Sequence, residues 1–74
     1  MARTVDIYDL LLVTSTKQAY LVRTEDGEEV WIPRSQIEYI EFGATLTDDS
    51  NDQPVKEIKI MEIPEWLAED KNLI

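Results

Sequence analysis

The sequence predicts a mainly β domain, a small antiparallel five-stranded barrel with a short C-terminal helix. Three observations carry that expectation. Apolar residues alternate with polar ones in short runs separated by turn-forming residues. One of those separators, Asp26-Gly27, has the chemistry of a tight hairpin, because glycine supplies the positive φ such turns need. A chain of 74 residues forms one domain, residues 1–74, and buries only about 60% of its unfolded surface. Closing the sheet, which hides its edges, is the most economical use of so thin a core.

The elements follow in order. "VDIYDLLLV" sets Val5, Ile7, Leu11 and Val13 on one face and Tyr8, Leu10 and Leu12 on the other. Apolarity on both sides points to a strand covered twice or one that reaches a subunit contact. "TSTKQ" reads as a turn, and "AYLVRT" resumes the alternation, with Ala19 and Leu21 opposite Tyr20 and Val22. The Asp26-Gly27 turn then joins that run to "EVWI" in an antiparallel pair. Pro33 ends the third strand because it cannot donate a ladder hydrogen bond. Ser35 is placed to cap a single helical or 3₁₀ turn before "EYIEF" returns to strand, with Ile40 and Phe42 on one side. Residues 43–54, "GATLTDDSNDQP", read as a flexible acidic loop or a ragged hairpin. "VKEIKIMEI" forms the last strand, with Ile58 and Ile60 on one face and Val55, Met61 and Ile63 on the other. Pro64 and Glu65 open a short helix over 64–72, too short to stand alone, which must dock on the sheet or on a neighbour.

Composition narrows the function classes. Sixteen Asp and Glu against seven Lys and Arg give a net charge of −9. Nucleic-acid affinity comes largely from basic groups that displace counterions, so nucleic acid is an unfavourable partner. The acidic balance serves solubility or steers a basic partner. There is no Cys and no His, which removes thiolate metal sites, disulfides and the usual general base near neutral pH. With only two glycines, a phosphate-cradling loop is missing too. No catalytic residue, cofactor or metal is therefore assigned, and the chain is expected not to be an enzyme. Asp48, Ser50 and Asp52 alternate as in the start of a calcium loop, but Gln53 and Lys59 stand where its glycine and closing glutamate belong. The short apolar run near the N-terminus is broken by Asp6 and Asp9 and fits neither a signal peptide nor a membrane span. A cytoplasmic location is the expectation.

The stretch "WIPRSQI" is the most unusual in the chain. Its structural account has Trp31 covering a barrel mouth, Ser35 capping a turn, and Arg34 and Gln36 facing water. On that account Trp31→Ala costs stability and Arg34→Ala spares it. Its functional account sets an aromatic plate beside a guanidinium and hydrogen-bonding groups, with Arg23 reaching over from the neighbouring strand. The candidate binding residues are Arg23, Trp31, Arg34, Ser35, Gln36 and Tyr39.

A tryptophan-containing strand, a proline, one helical turn and a returning strand resemble the end of an SH3-like barrel, and "DIYDL" is similar to the opening strand motif of SH3 domains. The resemblance implies the barrel type and no binding residues. "EEVWIPRSQIE" together with "IPEWLAEDKNLI" is similar to short proteins encoded by bacteriophages and prophages. That likeness implies a setting of phage–host interaction and no specific activity. Three functions stay open. The first is a non-enzymatic interaction protein that binds and modulates or inhibits a host protein. The second is an oligomer that captures a nucleotide-like molecule between subunits with Arg23, Trp31, Arg34, Ser35 and Gln36. The third is a single-stranded nucleic-acid binder stacking bases on Tyr20, Trp31 and Tyr39.

Overall fold

The computed structural model describes residues 3–47 and 52–74. Within them the elements are β1 (Thr4–Ser15), β2 (Ala19–Arg23), β3 (Glu29–Pro33), a 3₁₀ turn (Arg34–Gln36), β4 (Tyr39–Thr47), β5 (Pro54–Pro64) and α1 (Glu65–Asp70). The strands form one antiparallel sheet in the order β3-β2-β1-β5-β4. The predicted hairpin is present between β2 and β3, with Gly27 at φ +87°. Thr16 makes the preceding turn, its hydroxyl accepting from the N–H groups of Gln18 and Ala19 at 3.2 and 3.0 Å. Of the expected loop, residues 43–47 belong to β4 and Pro54 opens β5. Residues 48–51, which include Asp48 and Ser50 of the calcium-like spacing, lie outside the described residues.

The expected barrel closure is not found. β3 and β4 are the two edges of the sheet and share no ladder. The 3₁₀ turn links them at one end only, where Arg34 N–H donates to Gln18 O and Glu38 N–H to Glu62 O, both at 2.8 Å. β4 also carries irregularities at Glu41/Phe42 and between Phe42 and Thr45, which break the even spacing a ladder with β3 would require. The sheet still curls. Tyr20 of β2 meets Phe42 of β4 edge-on across its concave side, with ring centroids 6.3 Å apart.

The core fills that concave side. Ile7, Leu10, Val22, Ile32, Ile58, Met61 and Ile63 are buried together with Leu67 and Ala68 of α1. Simple alternation put Ile7 and Leu10 on opposite faces, and likewise Ile58 and Met61, so both assignments are corrected. The cause lies at Asp9, whose φ is +60°. Asp tolerates the left-handed region better than most residues. The resulting kink switches the inward parity of β1, and β5 switches with it between the Tyr8–Ile60 and Leu10–Ile58 pairs. Val5, Ile7, Leu10 and Leu12 thus all reach the core.

The helix is shorter than expected, and Pro64 precedes it instead of opening it, because Pro64 is still paired with Thr4 in the sheet. Its C-terminus closes as a Schellman motif around Asn72 at φ +58°. Leu73 N–H donates to Ala68 O at 2.8 Å and Asn72 N–H to Glu69 O at 3.1 Å. That turn folds Leu73 back against the core.

Candidate interaction surface on the outer sheet face

Cross-strand partners share a face and successive residues alternate, so the core assignment also defines the convex outer face. Past the Asp9 kink, Leu11 and Val13 of β1 point outward. Leu21 and Arg23 of β2 do the same, as do Glu29 and Trp31 of β3, paired Leu21–Trp31 and Arg23–Glu29. In β5, Val55 lies on the face opposite Ile58, and its partner in β4 is Leu46. The β1–β2 register shifts between Leu12 and Thr14, so Leu21 pairs with Thr14 and Val13 is the bulged residue between them. Leu46–Val55 on one side and Leu21–Trp31 on the other, with Val13 and Thr14 between, form a largely apolar row, Leu46–Val55–Val13–Leu21–Trp31, that crosses the five strands outside the main core cluster. Val55 is 4% exposed within it, while Trp31 and Leu46 at its two ends are 45% and 44% exposed.

A second row, Glu57–Leu11–Arg23–Glu29, runs beside the first. The Arg23 guanidinium grips Glu29 through Nε at 3.1 Å and Nη2 at 2.7 Å. Arg23 and Glu29, on the same face as Trp31, form an ion pair. On the other side of the kink the outer face turns acidic, with Asp6, Glu41 and Glu62 around Tyr8, Ile60 and Tyr39.

The predicted binding residues separate into three groups. Arg23 and Trp31 share the outer face, Trp31 standing on the edge strand and not over a barrel mouth. Arg34 turns to the concave side, where its guanidinium lies 4.9 Å from the centre of the Tyr20 ring and Nη1 donates to Thr16 O at 3.3 Å. Lys56 caps Phe42 similarly at 5.6 Å. Ser35 lies inside the 3₁₀ turn and makes no cap, since Pro33 occupies the N-cap position. Gln36 is half-buried beside it. Tyr39 is on β4 at the opposite edge, its hydroxyl donating to Glu41 Oε1 at 3.0 Å. That hydrogen bond, with repulsion of a phenolate by the carboxylate, holds the Tyr39 pKa above its ordinary value of 10.0.

Arg34 is thus engaged and not a bystander. Loss of one partly exposed cation–π contact and one hydrogen bond sets the expected cost of Arg34→Ala at about 1 kcal/mol. Thermal unfolding should register it as a fall of about 4–8 °C.

Within one chain Arg34 lies on the opposite side of the sheet from Arg23 and Trp31, and the three aromatic rings do not share a face. Tyr20 faces inward under Arg34, and Tyr39 lies in the acidic half. A groove of about 230 Å³ opens between Asp9, the β2–β3 turn and the tail, lined by Leu10, Glu25, Asp26, Glu28, Asn72 and Leu73. Its carboxylates repel anionic ligands. Among the described residues no set of three or more Asp, Glu, His or Cys side chains converges as a metal site, and no helix is long and apolar enough to cross a membrane. Comparison with protein-family models, curated proteins and solved structures gave no match.

Proposed function

We propose that this chain acts by contact and not by catalysis, docking a protein partner on the apolar half of its outer sheet face. One observation carries the reading: Trp31 and Leu46 stand exposed on a largely apolar row that lies outside the main core cluster of a small chain. Trp31 and Leu46, exposed at the two ends of that row, are available to a partner, whereas Val55 between them is already buried. Tryptophan is also among the residues that most often dominate binding energy. The acidic half of the same face, within a chain of net charge −9, favours a basic partner and speeds its approach. The resemblance to short phage and prophage proteins rests on the sequence reading alone; on it we take a cytoplasmic host protein as the partner, with modulation or inhibition of that protein as the outcome.

The test is capture from host lysate on the immobilised full chain at several salt concentrations. A specific protein should be retained, and its on-rate should fall as salt shortens the screening length from roughly 30 Å at 0.01 M to about 8 Å at 0.15 M. An empty eluate at the lowest salt contradicts the proposal.

A further inference from the structure

The free edge of β3 has a defined hydrogen-bond phase. Arg34 N–H donates to Gln18 O and Thr24 N–H to Glu28 O, and the β2–β3 register between them is unbroken. Residues 28, 30, 32 and 34 therefore turn their backbone groups toward β2, while Glu29, Trp31 and Pro33 turn theirs outward. Outward N–H and C=O groups on a regular strand are a template for another strand. β4, the opposite edge, is bulged and offers no comparable run.

We propose that a second copy of this chain pairs with this edge, β3 antiparallel to β3, about a two-fold axis at Trp31. In that register the two Trp31 residues exchange N–H···O=C bonds. Glu29 N–H of each copy donates to Pro33 C=O of the other. The same alignment sets Glu28 opposite Arg34 of the second copy, and by symmetry does so twice. Charge complementarity selects it: an axis at Val30 would face Glu28 with Ile32, and an axis at Ile32 would face Arg34 with Val30. Either shift also shortens the ladder. Among the described residues no carboxylate lies within ion-pair distance of Arg34 inside one chain. The pairing joins the two outer apolar rows side by side through Trp31. Its bonds are backbone bonds and its charges lie off that row, so Glu28→Arg tests it without altering the Trp31 side chain on which the outer-face reading rests.

The test combines sedimentation of the full chain up to roughly 1 mM, a Kd of that order corresponding to about −4 kcal/mol, with amide exchange at low and high concentration. The expected result is a concentration-dependent dimer in which the Glu29 and Trp31 amides become protected. Glu28→Arg, which faces Arg34 with a like charge twice, should weaken the dimer about tenfold. Adding Arg34→Glu should restore most of that loss. A chain that stays monomeric, a dimer whose Glu29 and Trp31 amides exchange freely, or a dimer indifferent to Glu28→Arg would overturn the proposal. Amide exchange on the unaltered chain decides the matter even if the double variant melts early.

Discussion

Replacing Ile58 by alanine should lower the unfolding free energy by about 3–5 kcal/mol. Ile58 is fully buried on β5, a strand flanked on both sides, where Leu10 and Phe42 are its partners. The substitution leaves a cavity that strands held in two ladders cannot collapse to fill. For a chain of this length total stability is about 4–11 kcal/mol, so the loss takes a large share of it. Thermal unfolding should show a fall of at least roughly 12 °C. Ile60→Ala, two residues along on a half-buried site of the outer face, should cost only about 1 kcal/mol. Equal losses at the two positions would show that the parity switch at Asp9 is absent.

That pair of residues also shows what was legible in the sequence. Strand positions, antiparallel pairing through Asp26-Gly27 and a docked C-terminal helix follow from local chemistry, because turn residues and alternation act over a few positions. Alternation alone cannot place Ile58 and Met61 in one core. The switch depends on a single left-handed residue, Asp9, whose backbone conformation leaves no periodic trace. Edge economy favours a closed barrel, but β4 is irregular between Phe42 and Thr45, around Gly43, where an added Cβ would run into the Glu57 side chain; a lone glycine of this kind is the sequence mark of a bulge, and the reading of residues 43–54 as a loop passes over it.

The candidate site was legible in part. Trp31 with Arg23 could be read from hairpin pairing, since cross-strand partners are set by the turn. Arg34 could not, because its destination, the Tyr20 ring, depends on how the 3₁₀ turn meets the β1–β2 turn. The outer apolar row had one visible signal: β1 is apolar on both faces, which pointed to a second contact. Alternation alone sets Val55 on the face of Met61 and Ile63, and Leu46 falls within the stretch that reads as a loop, so neither is assigned to that row from the sequence.

Trp31→Ala should reduce capture of the partner by roughly 30-fold or more, the loss of a dominant contact of about 2 kcal/mol. The effect on folding should be far smaller. Trp31 is 45% exposed on an edge strand and its cross-strand partner is Leu21, so the fold loses about 1 kcal/mol. Unfolding temperature and binding must therefore be measured on the same preparation. Glu28→Arg, which leaves the apolar row intact, should bind the partner even where it weakens self-pairing. Binding by folded Trp31→Ala is the most direct test of whether the convex face of this open sheet does the work. The account predicts capture nearly abolished with unfolding lowered by no more than about 8 °C. Undiminished capture by the folded variant, or a collapse in stability like that of Ile58→Ala, would contradict it.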